Sequence, residues 1–259
     1  MDTTRLLDLF PLWGLFFATV ALVGAAVEAG YRIGRYRRTL SGQEKEAPVG
    51  AIVAATLGLP AFMLAFTFGL AASRFDARRI VVLDESNAIG TTYLRAGMLP
   101  EPHGTECRRL LREYIDVRLQ APELADVSQA IAKSAELQRA LWTQATDAAA
   151  KDPHSIVTGL FIQSLNEVID LHSKRVMFAL RNRIPEIVWG VLYLTIVLAM
   201  ASLGYLEGLS RSSRSVAALA LVLTFSVVNL LIADLDRPGE GLLRVGQRSM
   251  LDLRESLAK

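Results

Sequence analysis

Two threonines and two arginines fall along one side of an apolar helical run. From Val49 to Ala72 the chain is apolar for long enough to cross a hydrocarbon core of about 30 Å, which takes roughly 20 helical residues. In and just beyond that run, Thr56, Pro60, Met63, Thr67, Ala71, Arg74 and Arg78 recur at spacings of three and four, so they share one stripe of a helix. Hydroxyls that lead without a phase jump onto guanidinium groups suit a helix lining an aqueous ion path, and the arginines would favour anions there. The plain alternative is that the threonines bond to their own backbone and Arg74 snorkels to the headgroups. Phe62 and Phe66, one turn apart on a neighbouring face, are candidates for an apolar constriction, with ordinary helix packing as the alternative.

Other reactive side chains point away from catalysis. Asp84 and Glu85 are adjacent, so on a helix they diverge by about 100° and make a poor general acid and base pair. Pairing with Arg74, Arg78 or a neighbouring chain is the expected use of these carboxylates. Gly90 inside the same helix costs about 1 kcal/mol relative to Ala, which suggests a close helix crossing. Asn229 is the strongest hydrogen-bonding side chain in the last apolar run, and bonding between helices is its default use, ahead of ion ligation. His103, His154 and His172 are scattered, with no His-x-x-x-His pair, and the single Cys107 has no partner at zinc spacing. His172 is expected on an amphipathic helix face. Gly30-x-x-x-Gly34 and Gly204-x-x-x-Gly208 are small-residue patterns that suit helix contacts, although the pattern is of low specificity. No metal, cofactor or enzymatic activity is indicated. The basic residues sit beside the apolar runs and not in a long stripe with aromatics, which excludes nucleic acid as a partner.

The elements that carry these residues are helices. The 259 residues are 52% hydrophobic yet 21% charged, a balance that fits a membrane protein with a sizeable aqueous part. Spans are expected at about 9–27, 49–72, 187–206 and 216–233, in two pairs. The start lacks the basic n-region of a signal peptide, so the first run is taken as a membrane helix. Residues 1–72 then form the first transmembrane pair, 73–185 a helical aqueous domain, 186–235 the second pair, and 236–259 an amphipathic C-terminal segment. No turn signal separates Ala72 from Ser73-Arg-Phe-Asp-Ala-Arg-Arg79, so the second membrane helix is expected to run on into water as a charged helix. Within the insertion, Pro100, Pro102 and Gly104 end that helix, Pro122 ends a second over Glu106 to Leu119, and a third covers Leu124 to Ala150. Asp152-Pro153 is expected to cap a fourth, from His154 to about Asn182, and Leu242 to Leu257 suits one more.

Charge gives a divided topology. The two short loops hold seven basic residues, Arg32, Arg35, Arg37, Arg38, Lys45, Arg211 and Arg214, whereas the other side holds eleven, among them Arg5, Arg74, Arg78, Arg79, Lys174, Arg175 and Arg181. The total favours a cytoplasmic insertion and termini. The density of the first loop favours the reverse.

Four ordered motifs carry a resemblance. Leu64-Ala-Phe-Thr-Phe-Gly-Leu-Ala-Ala-Ser-Arg-Phe-Asp-Ala-Arg-Arg79 is followed by Val82-Leu-Asp-Glu-Ser-Asn-Ala-Ile-Gly-Thr-Thr-Tyr-Leu-Arg95. Leu171-His-Ser-Lys-Arg-Val176 with Arg183-Ile-Pro-Glu-Ile-Val-Trp189, and then Leu235-Asp-Arg-Pro238, follow in order. Together they resemble the signature of the prokaryotic bestrophin-like membrane protein family over most of the chain, with Asp76, Asp84, Glu85, Asn87, Arg95, Asp236 and Arg237 as its polar residues. Gly239-Glu240-Gly241 stands where the family usually continues with an aromatic and a small residue. The chain is more distantly similar to bestrophin channels, whose Leu-Gly-Phe-Arg motif is echoed by Leu64-Ala-Phe-Thr67, with Thr67 in place of their Arg and Asp76 in place of an aromatic.

The resemblance implies an all-α, bestrophin-like fold with the helical aqueous domain inserted between the second and third spans. It further implies a homo-oligomeric ring, a pentamer, in the cell's inner membrane, with the second helices lining an ion path and the insertion and termini in the cytoplasm. Lipid, inorganic ions and copies of the chain are the expected partners, and selectivity does not follow from the motif. The competing expectation is a membrane-anchored helical scaffold or sensor that conducts nothing.

Overall fold

The computed structural model describes residues 10–40, 46–120, 127–180, 182–210, 216–237 and 241–258. They form eight helices: α1 (Leu12–Leu40), α2 (Glu46–Ala96), α3 (His103–Gln120), α4 (Val127–Lys151), α5 (Ile156–Leu180), α6 (Glu186–Leu209), α7 (Val216–Asp236) and α8 (Arg248–Leu257). Among the described residues there is no strand. Four of these helices, α1, α2, α6 and α7, are long and apolar enough to cross a membrane. Lys45, Pro122, Leu124, Arg5, Arg181, Arg211, Arg214 and the Pro238–Glu240 stretch of the last motif lie outside the described residues.

Helix ends differ from the sequence expectation in ways the local chemistry explains. The first span does not stop at Val27 but continues as α1 through the basic stretch to Leu40. Arg and Tyr are acceptable helix residues, and the two glycines that weaken the stretch are packed against another helix. α2 passes through Ser73 without a break and stops at Ala96, before Gly97 and Pro100. Pro60 sits inside it, removing one ladder bond to the Thr56 carbonyl. α5 begins at Ile156, not His154, because the cap is Ser155: its Oγ accepts the Thr158 N–H at 3.3 Å. Asp152 instead holds the preceding turn, accepting the His154 N–H at 3.2 Å. The C-terminal helix is shorter than expected, starting at Arg248 and not Leu242.

The chain divides into two compact units. One comprises residues 1–73 and 183–243, the other 74–182 and 244–259, so α8 falls in the same unit as α3, α4 and α5. In the first unit α1 packs mainly on α6 and less extensively on α7. The α1–α6 contact is built on missing side chains: a Cβ at Gly30 would collide with the Ala201 carbonyl, at Gly34 with that of Tyr205, at Gly204 with that of Val27, and at Gly208 with that of Tyr31. Contact positions rise together along both helices, so α1 and α6 run parallel, and both small-residue patterns interlock. Nearer the start of both helices, Thr19 Oγ1 lies 2.9 Å from Tyr193 OH.

The second unit has a core of large side chains. Leu111, Ile115, Leu141, Phe161 and Leu165 are fully buried, together with Cys107, whose thiol burial pushes up to about 12. Leu110, Leu111, Tyr114 and Ile115 lie on the buried face of α3 and Val117 is half-buried, while on α4 Leu137 and Leu141 are buried and Trp142 is exposed. Gly90 does mark a close crossing, since a Cβ there would meet Leu253 of α8 at 3.2 Å.

Candidate functional site

α2 presents two chemically distinct faces. The polar stripe found in the sequence turns inward within the chain: Thr67 is 1% exposed, Ala71 and Pro60 are buried, Met63 and Arg74 half-buried, and Arg78 is 6% exposed. Its hydroxyls are used locally, Thr56 donating to the Ile52 carbonyl and Thr67 to the Met63 carbonyl, each at 2.7 Å. Met63 Sδ receives the Thr195 hydroxyl of α6 at 3.7 Å. The Arg78 guanidinium lies 6.0 Å from the centre of the Phe75 ring.

A second face, beginning about 100° around the helix from the stripe, is exposed along its length. Ala55, Leu59, Phe62, Phe66, Gly69, Ser73, Asp76, Ile80, Leu83 and Asn87 are all exposed and recur at alternating intervals of four and three, which keeps them on one seam. Phe62 and Phe66 are 70% and 67% exposed, and they are the bulkiest side chains on it. Asp76 is the one ionised residue of the seam, with exposed Arg79 on its flank.

Farther along α2, its inward face reaches a buried ionic cluster. Glu85 is wholly buried, and where the sequence suggested Arg74 or Arg78 its carboxylate meets arginines of other helices. Its Oε2 accepts Arg175 Nη1 of α5 at 2.5 Å, and its Oε1 lies 3.1 Å from Arg118 Nε of α3. Tyr114 OH also donates to Oε1 at 3.0 Å, receives Gln138 Nε2 at 3.3 Å, and lies 3.2 Å from His172 Nδ1. Arg175 reaches α8 as well, donating to Gln247 Oε1 at 3.2 Å, and Ser86 Oγ donates to the Ser249 carbonyl. Burial holds the His172 imidazole down at about 4, assisted by the charges of Arg118 and Arg175 and opposed by Glu85. The Tyr114 phenol is pushed up, first by burial and then by the Glu85 charge. His172 thus lies on the buried face of α5 as a member of this network.

No local spacing reveals this cluster, because the side chains bonded to Glu85 lie 29 to 90 residues from it in sequence. The one local signal is that the apolar faces of α3 and α5 are interrupted at Tyr114 with Arg118 and at His172 with Arg175, pairs one turn apart. Asp84 is half-buried, and Asn87 lies on the exposed seam. Arg95 donates to the Leu160 carbonyl at 2.7 Å, joining α2 to α5. Asn229 does not bond across helices as expected: its amide donates to the Phe225 carbonyl of its own helix at 3.1 Å, and its Oδ1 is buried without a hydrogen-bond partner among the described residues. Among the described residues, no three His, Cys, Asp or Glu side chains gather as a metal site.

A model of the bestrophin-like domain matches residues 15–250. The chain belongs to the bestrophin-like family. Solved structures agree with this on the fold. One point mutant of a bacterial bestrophin homologue from Klebsiella pneumoniae is 16% identical, with a TM-score of 0.67, covering 95% of this chain and 97% of that one. A second point mutant of the Klebsiella homologue is 15% identical with the same TM-score, over 94% and 96%. A further structure, of a membrane protein carrying one substitution, is 17% identical at a TM-score of 0.62, over 93% and 95%. A search of curated proteins finds no match.

Within this bestrophin-like chain the exit motif of α7 is a structural tie. Asp236 Oδ1 accepts the Ile184 N–H at 2.8 Å and its Oδ2 lies 3.3 Å from Arg183 Nε, fixing the approach to α6. Arg237 donates to the Phe10 carbonyl at 2.9 Å, and Asp234 accepts the N–H groups of Leu242 and Leu243 at 3.0 and 3.2 Å. Gly241 has φ of 100°, a conformation that suits glycine, and a Cβ there would collide with the Asp234 carboxylate.

Proposed function

We propose that this bestrophin-like membrane protein assembles as a homo-oligomeric ring, a pentamer, and conducts ions along a path lined by α2. The supporting observation is the exposed seam from Ala55 to Asn87, which a single chain leaves bare through both the apolar and the charged part of α2. On this assignment the path is not the stripe of Thr56, Thr67 and Arg78 but this exposed seam beside it, and Phe62 and Phe66 form its constriction. Asp76 repeated around the ring gives the path a negative collar, while Arg74 and Arg78 are withdrawn from it, so cations are preferred. Residues 74–182 and both termini then lie in the cytoplasm, with the protein in the inner membrane.

Purified protein in planar bilayers is expected to carry current, and Phe62→Ala with Phe66→Ala to raise conductance several-fold. Asp76→Asn is expected to shift the reversal potential in a salt gradient towards anions. Absence of current at both voltage polarities, together with absence of flux from liposomes, overturns conduction. A monomer or dimer in native mass spectrometry would instead support an anchored scaffold.

A further inference from the structure

We propose that the end of α1 from Tyr31 to Leu40 is a docking surface for the headgroups of anionic phospholipids. At about 1.5 Å per residue, the 29 residues of α1 extend roughly 43 Å, which exceeds a hydrocarbon core of about 30 Å and leaves more than two turns among the headgroups. The chemistry of those turns changes accordingly. On α1, exposed Ala25, Ala29, Ile33, Tyr36 and Leu40 fall within about 80° of one another around the helix, so an apolar seam persists into the extension. Arg32 and Arg37 flank that seam, Arg35 and Arg38 lie behind it, and all four are exposed, so the end of the spanning helix carries its cations to headgroup level.

Charge complementarity selects the partner. Arg32 is already tied to Glu28 at 2.8 Å, whereas Arg35, Arg37 and Arg38 make no ion pair among the described residues. Among the described residues of this end, the acidic side chains are Glu28 on α1 itself and half-buried Glu207 on α6. Against Arg32, Arg35, Arg37 and Arg38 they leave a positive excess, and a guanidinium offers a bidentate fork to a phosphodiester. The extension is also held in place, since Gly34 is seated against the Tyr205 carbonyl and Gly208 of α6. A fixed array of three exposed guanidinium groups at headgroup depth suits a lipid carrying net negative charge better than a zwitterion, whose ammonium is repelled.

The test is independent of conduction. Native mass spectrometry of the full-length purified protein would be run with phosphatidylglycerol, with phosphatidylcholine and with inorganic phosphate, for the wild type and for the triple variant Arg35→Gln, Arg37→Gln, Arg38→Gln. Wild type is expected to retain phosphatidylglycerol several-fold more than phosphatidylcholine, and the triple variant to lose most of that preference at an unchanged unfolding temperature. A lysine version of the triple variant, which keeps the charge, controls for loss of the fold and is expected to keep the preference. Equal retention of the two lipids, or an undiminished preference in the glutamine variant, overturns the proposal. So does displacement of phosphatidylglycerol by millimolar inorganic phosphate, which marks a free-anion site. A change of subunit number with unchanged lipid adducts would assign the surface to a second copy of the chain and overturn it as well.

Discussion

Where α1 meets α6, four glycines let backbone touch backbone; where α2 meets α3, α5 and α8, one carboxylate gathers two arginines, a tyrosine and a glutamine reached through Arg175. The first contact depends on the absence of side chains and has nothing to desolvate. The second puts ions where water is excluded, and it is stable only because Glu85 has a partner at both oxygens. Each is therefore vulnerable to a different insult. Adding one carbon damages the first, and removing one charge damages the second.

The largest effect is expected from Glu85→Ala. Without the carboxylate, Arg118 and Arg175 remain buried as uncompensated like charges, which costs about 3–5 kcal/mol. Thermal unfolding of the purified protein would reveal it, and the companion variant Glu85→Gln should recover part of the loss through the Tyr114 bond. A loss below about 1 kcal/mol for Glu85→Ala would mean that water reaches the cluster.

Next comes Gly204→Ala. One methyl group cannot be fitted against the Val27 carbonyl without separating two helices, for roughly 2–3 kcal/mol. Gly190→Ala on the same helix is the control, because a Cβ there has nothing within 4 Å. It should be neutral or raise stability by up to about 1 kcal/mol, since Ala is the better helix former.

The third effect is set by pH. Folded His172 titrates near 4, below its ordinary 6.5, so the unfolded chain binds more protons between those values. The stability that neutral His172 confers is complete above about pH 6.5 and falls as pH drops through that window. The loss is about 2 kcal/mol at about pH 5. The imidazole faces Tyr114, with Arg118, Arg175 and Glu85 around it, and a His172→Gln variant should flatten the unfolding profile between about pH 5 and 7. An unaltered slope would place that proton uptake elsewhere.

The two contacts also differed in how far sequence revealed them. Gly30, Gly34, Gly204 and Gly208 repeat at fixed local spacing, so the pattern was visible, and only the pairing of one with the other needed the fold. Glu85 was visible as a carboxylate, but its partners lie on helices whose approach no local spacing encodes. The faces of α2 show the same limit. Periodicity correctly grouped Thr56 to Arg78 on one side, yet periodicity is silent on which side of a long apolar helix turns inward, because lipid, a neighbouring helix and an ion path all tolerate Ala, Leu and Phe.

Asn229 brings the comparison to a single side chain. It is nearly as buried as Glu85, at 1% exposure, but it sits in the unit whose helices meet through small residues, and its Oδ1 has no partner among the described residues. An unpaired buried carbonyl oxygen costs about 1–3 kcal/mol, part of which its amide recovers from the Phe225 carbonyl. Asn229→Leu, close in shape and without the polar atoms, should therefore leave the unfolding temperature unchanged or raise stability by about 1 kcal/mol. If the substitution destabilised the protein as strongly as Glu85→Ala, Oδ1 would have to be engaged in the membrane-embedded protein by water, an ion or another chain. The polar chemistry of the first unit would then be as extensive as that of the second.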